Sequence, residues 1–431
     1  MGIASLVDVV RAASGSMMRK TLDSFSLLET GSGKILIGKD GSVATMIRVD
    51  GCKQIMGEKE LNEVVEHMSD RLTSFMSKPG HAMQVWFSRD PDLSEHVVQN
   101  LMRTPRSIAS RLSLDLDDLF EGRSQHLPGF LVWEGFYIVL WSRLSLLNKQ
   151  EQERAKISRK PPPLWPAMAD AQNLTGSIST LMERHKAFVN QFHTDLRDVG
   201  LRARVLSAHD AIVASRYSVY NEGIGSEWRP RLAGDPIPTR KAEVSTSDAS
   251  HVFWPRLDDQ IFSKPAARID TTVAQVGDRL FGAADMTIGP QEILPFSVLI
   301  RRLSENDEFP WRVSFLIEGD VGSLLSVKAF FASVFSITNS ENKMIKQAVD
   351  AVRALQIEGT TFARMRASFA TWAPLSDEEL MRKRVDIVAQ GLGCPKKGAI
   401  GHVQGAREIV GEAEPADLAR LLGLETGRIH K

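Results

Sequence analysis

The sequence predicts an α+β fold with two mixed α/β lobes, and three observations lead to this class. Apolar residues at three- and four-residue intervals predict a helix at residues 58–77. Alternating apolar and polar residues predict a strand directly after that helix, at residues 82–89. Strand–helix–strand order recurs in both halves of the chain, which favours ferredoxin-like or related sandwiches.

The first half begins with a predicted β-hairpin at residues 34–50, which we expect to form part of a small barrel. Its turn is Gly38-Lys39-Asp40-Gly41, because an Asp-Gly pair favours a tight turn. The pattern of apolar residues predicts the other elements of this half in the order helix 58–77, strand 82–89, helix 94–113, strand 129–142, helix 167–196 and strand 201–206.

The second half repeats the mixture of helices and strands. Ser376 and Glu379 have the spacing of a capping box, which satisfies two free backbone N–H groups at the start of a helix. The predicted elements are strands near 279–288, 294–302 and 311–318, helices 323–336 and 341–357, strand 362–372, helix 377–391, strand 399–404 and a short helix after Pro415.

Length and local composition divide the chain into four predicted segments. Its 431 residues can bury more than one core, since single domains usually run to about 100–200 residues. Residues 1–30 form an N-terminal helical docking segment. Residues 31–220 form the first lobe, which contains a basic, proline-rich linker at 145–166. Residues 221–264 form a second linker, rich in Gly, Pro, Ser and Thr, and residues 265–431 form the second lobe.

The charge balance counts against a dedicated nucleic-acid binder. Lys and Arg together number 53, as do Asp and Glu, so no overall field attracts a polyanion. The two cysteines, Cys52 and Cys394, lie far apart, as expected in a reducing cytosol, and cannot form a zinc site alone. The sequence therefore predicts a cytoplasmic protein without a metal site.

An apolar stripe near the N-terminus is a candidate interface. Asp8 interrupts the stripe and Arg11 is the first basic residue, so the segment does not fit a signal peptide. No stretch reaches the ~18–20 apolar residues of a membrane span. The stripe belongs either to a terminal helix packed on the body or to a helix that docks on an inner-membrane partner or the bilayer surface. It consists of Ile3, Leu6, Val7 and Val10.

Three tryptophans beside or near prolines in the linkers are the other candidate interface residues. Tryptophan often dominates the binding energy of a protein interface, so an exposed one can hold another subunit. The alternative for each is packing against its own lobe. These residues are Trp165, Trp228 and Trp254.

No nucleotide-binding or catalytic motif is complete. Gly33, Gly38 and Lys39 have the spacing of a P-loop, but Asp40 stands where a Ser or Thr must hold magnesium, and its charge would repel phosphate. The sequence contains no Gly-x-Ser-x-Gly elbow and no pair of histidines with metal-ligand spacing. We therefore predict no catalytic, cofactor-binding or metal-ligating residue, and no enzyme activity for this chain.

Five short motifs are spread along most of the chain: Gly41–Val43, Arg48–Gly51, Pro79–His81, Phe87–Pro91 and Arg366–Ala373. Together they resemble the N-terminal region of the large cytoplasmic ATPases of type IV secretion and conjugation systems. Within that family the likeness is to the IcmB/DotO/TraU branch of Dot/Icm and conjugation machines.

The resemblance implies a docking and oligomerisation module that positions a motor at the inner-membrane base of the machine. Such a module is cytoplasmic and peripheral to the bacterial inner membrane. The family carries its nucleotide motifs in a C-terminal RecA-like half, so ATP and Mg²⁺ would act only through a C-terminal or separate motor domain. The implied partners are inner-membrane secretion subunits, the motor ATPase, fused or separate, and further copies of the chain.

Two other functions stay open. One is a nucleic-acid-handling conjugation protein that uses the basic linker at 149–160 together with Arg301-Arg302. The other is an enzyme with a noncanonical site, assembled from scattered polar residues between the two lobes.

Overall fold

The computed structural model describes residues 28–38, 41–54, 57–76, 79–158, 178–220, 228–232, 260–261, 266–268, 273–286, 309–319 and 363–391. Most of the predicted N-terminal segment and most of the linker 221–264 lie outside these residues. So do the elements predicted at 294–302, 323–336, 341–357, 399–404 and after Pro415.

The described strands are β1 (Leu28–Ser32), β2 (Ile35–Gly38), β3 (Val43–Cys52), β4 (His81–Asp90), β5 (Trp133–Ser142), β6 (Leu201–Val205), β7 (Ala266–Arg268), β8 (Val273–Val276), β9 (Arg279–Met286), β10 (Trp311–Gly319) and β11 (Ala363–Pro374). They form one 11-stranded sheet with the order β1-β2-β3-β5-β4-β10-β11-β9-β8-β7, and β6 also pairs with β3. Every described strand pair is antiparallel.

Strands from the two halves of the chain meet at the border between β4 and β10. Trp311 pairs with Arg89 at one end of this border, and Glu318 pairs with Ala82 at the other. Gln84 donates from Nε2 to Ser314 Oγ across the border at 2.8 Å. Buried polar pairs of this kind favour one register, because a shift would leave their donors and acceptors unsatisfied.

The described helices are α1 (Glu58–Met76), α2 (Ser94–Arg111), α3 (Asp117–His126), α4 (Lys149–Ser158), α5 (Ser179–Asp198), α6 (Ala208–Tyr217) and α7 (Glu378–Gly391). The sheet is covered on both faces, since alternate strand residues enter different apolar clusters. Ile47 packs with Phe188 of α5, whereas its neighbour Met46 packs with Ile212 of α6. The predicted α+β class is therefore confirmed.

Several predicted elements are confirmed within about two residues. The predicted helix at 58–77 is α1, the strand at 82–89 is β4, and the helix at 377–391 is α7. The predicted hairpin at 34–50 is β2 with β3, and the Gly41 N–H donates to Gly38 O at 2.9 Å beside the turn. The lobe boundaries at 220 and 265 stay predictions.

Part of the predicted basic, proline-rich linker at 145–166 is helix α4. Its start explains the difference. The Glu151 N–H donates to Asn148 Oδ1 at 2.9 Å, and the Asn148 N–H donates to Glu151 Oε2 at 2.8 Å. This reciprocal cap satisfies two free backbone N–H groups, so a helix begins despite the high local charge.

His185 of α5 is completely buried against the sheet, and both of its ring nitrogens have partners. Nε2 lies 2.9 Å from Thr45 Oγ1 in β3, and Nδ1 lies 2.9 Å from Ser142 Oγ in β5. Burial, with a smaller effect of the nearby His81, lowers the pKa of His185 to about 3. The ring is therefore neutral at physiological pH.

We expect His185 to stabilise the fold less as the pH falls. The unfolded chain binds a proton at this residue below about pH 6.5, whereas the folded chain excludes it down to about pH 3. The stability advantage of the wild type over His185→Gln should therefore shrink by roughly 3 kcal/mol between pH 6.5 and pH 4. Urea denaturation at several pH values measures this difference.

Thr45→Val is the control for this experiment, because it removes a hydrogen bond of His185 and keeps the titrating ring. It should lower the unfolding free energy. As the pH falls, that free energy should still decrease more steeply than the unfolding free energy of His185→Gln. If the unfolding free energies of the wild type and of His185→Gln changed in parallel with pH, the neutral state of the buried His185 would be contradicted.

Candidate docking surface

Residues 91–132 form a helical insertion between two neighbouring strands. Asp90, the last residue of β4, pairs directly with Trp133, the first residue of β5. The chain therefore leaves the sheet and returns to it at one point. The insertion contains a 3₁₀ turn at Pro91–Leu93, α2, α3 and a second 3₁₀ turn at Leu127–Phe130.

The insertion has a small core of its own. Helices α2 and α3 and the second turn contact one another, and Val98, Ala109 and Phe120 are buried there. The Arg106 guanidinium carbon lies 6.0 Å from the centre of the Phe120 ring, within range of a cation–π contact. Because only a short connection joins the two packed helices, they run antiparallel.

The insertion exposes a set of large apolar side chains. Leu101 and Ile108 of α2 and Leu112, the residue that follows the helix, are separated by seven and four residues, which places them on one stripe. Their exposed fractions are 63%, 50% and 64%. Of the large apolar side chains that are exposed in the described residues, all except Leu375 belong to the insertion. We call this stripe and five further exposed residues the insertion surface. The five residues are Leu114, Leu116, Leu119, Phe130 and Leu131.

The size of the insertion surface indicates a binding role. Phe130 is 74% exposed, and the other members are between about a third and two thirds exposed. Together these large side chains expose on the order of several hundred Å² of apolar surface within one short insertion, and apolar exposure on this scale often marks an interaction site on a monomer.

A buried carboxylate holds the point at which the insertion leaves the sheet. Asp90 is 1% exposed. Its Oδ1 accepts a hydrogen bond from the Asp92 backbone N–H at 3.0 Å, which caps the first 3₁₀ turn. Its Oδ2 accepts a hydrogen bond from the indole Nε1–H of Trp372 at 3.2 Å. Asp90 therefore ties the start of the insertion to β11, a strand of the second half.

Arg312 of β10 lies buried between two tryptophan rings beside this carboxylate. Its guanidinium carbon is 4.9 Å from the ring centre of Trp86 and 5.1 Å from that of Trp372. It donates from Nε to Ser88 Oγ at 3.1 Å and from Nη2 to the backbone oxygen of Ser218 at 2.5 Å. Stacking and hydrogen bonding compensate the buried charge in place of water.

Burial shifts the pKa of both charged groups. It raises the pKa of Asp90 from 3.8 to about 6, against the opposing attraction of the Arg279 guanidinium. It lowers the pKa of Arg312 to about 9, and the Asp90 carboxylate opposes that shift. Both groups are therefore mostly charged at neutral pH, which makes the hydrogen bonds to them charge-assisted.

Two of the segments that carry the family resemblance meet at this point. Phe87–Pro91 contains Asp90, and Arg366–Ala373 contains Trp372, whose indole donates to it. The sequence singles out both segments, but only the pairing of β10 with β4 and β11 brings them together.

Among the candidate interface residues, Trp228 lies in the described part of the chain. It is half-buried against the apolar cluster that contains α6, and the Arg216 guanidinium carbon lies 4.6 Å from its ring centre. The candidates outside the described residues are Ile3, Leu6, Val7, Val10, Trp165 and Trp254.

Sequence reasoning missed the insertion surface although it predicted the helix at 94–113. Periodicity gave no separate signal for this surface, because the buried and the exposed apolar residues of the helix share one face. Val98 and Ala109 are buried, whereas Leu101 and Ile108 are exposed. These residues belong to one broad apolar face, so the sequence does not distinguish its buried part from its exposed part.

None of the helices in the described ranges is long and apolar enough to cross a membrane. The described residues also contain no group of three or more His, Cys, Asp or Glu side chains arranged to hold a metal ion.

No protein-family model matches this chain, and no curated protein matches it. The resemblance to type IV secretion ATPases therefore stays a prediction from the motifs.

We expect Trp372→Phe to destabilise the protein more than Trp141→Phe. Both substitutions remove the same volume from a buried indole, but the Trp372 N–H donates to Asp90, whereas the buried Trp141 N–H has no hydrogen-bond partner among the described residues. Loss of a hydrogen bond to a charged group costs roughly 1.5–3 kcal/mol. Chemical denaturation should show a difference of this size between the two variants.

Trp141→Phe is the matched control, because it removes the same volume from a buried indole without breaking a hydrogen bond. Equal losses of unfolding free energy in the two variants would show that the bond between Trp372 and Asp90 contributes nothing to stability.

Proposed function

We propose that this chain is a non-catalytic docking and oligomerisation module of a type IV secretion or conjugation ATPase, which positions the motor at the inner-membrane base of the machine. The insertion surface is the observation that carries the docking role. The motifs at residues 41–43, 48–51, 79–81, 87–91 and 366–373 support the choice of machine, through their resemblance to that family.

The attachment of the insertion suits a docking role. Asp90 and Trp133 hold both of its ends at one point of the sheet, and the hydrogen bond from Trp372 fixes that point from the neighbouring half of the sheet. A surface held in one orientation loses little conformational entropy when it binds, so more of its contact energy contributes to affinity.

The partners in this proposal are inner-membrane secretion subunits, the motor ATPase and further copies of the chain. ATP and Mg²⁺ act through a motor that is fused or separate. The protein works in the cytoplasm, peripheral to the bacterial inner membrane. Its balanced charge of 53 basic and 53 acidic residues argues against nucleic acid as the main partner.

The perturbed pKa values of Asp90 and Arg312 raise the alternative of an enzyme site between the halves. Their surroundings favour a structural role. Both residues are at most 2% exposed, and both carboxylate oxygens of Asp90 already accept hydrogen bonds from the protein. A substrate would have to displace these hydrogen bonds. The cluster is therefore better suited to holding the two halves of the sheet together than to acting as a general acid or base.

The test of the proposal is recovery of partners from detergent-solubilised bacterial envelopes, with the purified chain as bait. We expect inner-membrane secretion subunits or a motor ATPase to copurify with the wild type. Leu101→Ser combined with Ile108→Ser should reduce their recovery by about tenfold or more, because two apolar contacts at the centre of an interface are worth more than ~1.4 kcal/mol.

Leu375→Ser is the matched control, since Leu375 is an exposed leucine outside the insertion. It should leave recovery unchanged. Recovery of no secretion subunit from envelopes that contain the intact machine would overturn the proposed function, and unchanged recovery by the double variant would overturn the role of the insertion surface.

A further inference from the structure

Strand β6 is an edge strand of the described sheet. It pairs with β3 and with no other strand in the described ranges. The Leu206 N–H donates to Met46 O at 2.9 Å, which makes these two residues a hydrogen-bonded pair of the ladder. Because such pairs alternate along antiparallel strands, the backbone groups of Arg204 also point toward β3, and those of Ala203 and Val205 point away from it.

The outer side of β6 can form hydrogen bonds with a further strand. The N–H groups of Ala203 and Val205 are paired with no other described strand. His193 Nε2 lies 3.0 Å from Ala203 O, and a carbonyl oxygen has a second lone pair for another donor. An open edge of this kind accepts an extended segment of another chain.

Two arginines of β6 lie on one exposed face of this edge. Arg202 and Arg204 alternate with Ala203, so they share the face opposite to the one that packs against α5. Both are exposed, and neither forms an ion pair with a described residue. Arg204 is paired directly with Arg48 of β3, and like charges at opposed positions of a ladder are destabilising.

The acids around β6 are already paired with other arginines. Lys53 adds a further positive charge beside the start of the strand, where its Nζ donates to Arg197 O at 2.9 Å. The described surroundings of β6 therefore have an excess of positive charge after each ion pair is counted. The pairs are Asp50 with Arg48 at 2.7 Å, Asp210 with Arg229 at 2.8 Å and Asp198 with Arg197 at 3.8 Å.

A second copy of the chain fits this edge less well than an acidic strand does. A two-fold axis at Ala203 would place Arg202 of one copy opposite Arg204 of the other. A shift to the next hydrogen-bonded register would place Arg204 opposite Arg204. Both arrangements oppose like charges, whereas an acid at either position would stabilise the pairing. Charged side chains on an edge strand also disfavour the addition of a neutral strand.

We propose that β6 binds an extended segment of another polypeptide that carries Asp or Glu at alternate positions. The segment adds to the sheet as an antiparallel strand, as in every described strand pair. Main-chain hydrogen bonds to Ala203 and Val205 supply affinity, and acids opposite Arg202 and Arg204 select the partner. The residues of this edge are separate from the insertion surface, so the inference goes beyond the proposed function.

The test uses the full chain and three fluorescent peptides of about seven residues, within the usual length of a strand. One alternates Val with Glu, and the second alternates Val with Lys. The third is the Glu peptide with a methyl group on the backbone nitrogen of each Val. In the proposed pairing the Val amides donate to β6, so methylation removes these hydrogen bonds and keeps the charges. Fluorescence anisotropy should show that the wild type binds the Glu peptide about tenfold more tightly than the other two, or better.

Arg202→Glu combined with Arg204→Glu should reverse the preference between the Glu peptide and the Lys peptide. Arg111→Glu combined with Arg123→Glu is the matched control. It changes the net charge by the same amount at two exposed arginines of the insertion, and it should keep the preference of the wild type.

Equal affinity of the wild type for the Glu and Lys peptides would overturn the inference. Undiminished binding of the methylated peptide would also overturn it, because charge attraction without an added strand would then explain the binding. Self-association of the wild type that the Glu peptide displaces would assign the edge to a second copy and exclude the proposed partner.

The edge and the insertion surface can be tested independently. Leu101→Ser combined with Ile108→Ser should bind the Glu peptide as the wild type does. If this variant loses envelope recovery but keeps the peptide preference, the two surfaces bind different partners. If the wild type recovers no secretion subunit but prefers the Glu peptide, the proposed function fails and the assignment of β6 stands.

Discussion

The hydrogen bond from Trp372 to Asp90, with Arg312 stacked beside it, is the contact on which the rest of the structure depends. A buried carboxylate is costly unless donors fill its lone pairs and a positive charge lies near. Meeting both conditions requires β4, β10 and β11 to lie side by side in one register. The same carboxylate caps the turn that begins the insertion, so Asp90 anchors both the packing of the strands and the start of the docking surface.

Much of the fold could be predicted from local patterns in the sequence. Helix α1 and strand β4 follow from periodicity, and the turn between β2 and β3 follows from its glycines. Helix α4 was missed because the charged and proline-rich composition of 145–166 obscured the cap of Asn148 and Glu151. Helix α3 was missed because its apolar positions do not form a regular stripe, although Asp117 and Asp118 in its first turn favour a helix start.

The functional parts of the molecule were harder to predict, because they depend on contacts between distant residues. Asp90 and Trp372 are separated by 282 positions, and neither the pairing of β4 with β10 nor the role of Arg312 follows from local periodicity. The burial of His185 could not be predicted either, because its two partners, Thr45 and Ser142, lie on strands far from it in sequence. The insertion surface emerges only once the buried face of α2 is known.

Native-state hydrogen exchange across the border between β4 and β10 tests most directly whether the contact of Asp90 with Trp372 and Arg312 makes the two halves of the sheet unfold together. We expect amides of β4, β10 and β11 to open with one common free energy, and amides of α2 and α3 to open at a lower one. The coupling would be contradicted if amides of β10 and β11 exchanged through an opening of lower free energy while those of β3, β4 and β5 stayed protected. It would show that the second half unfolds without disturbing the first.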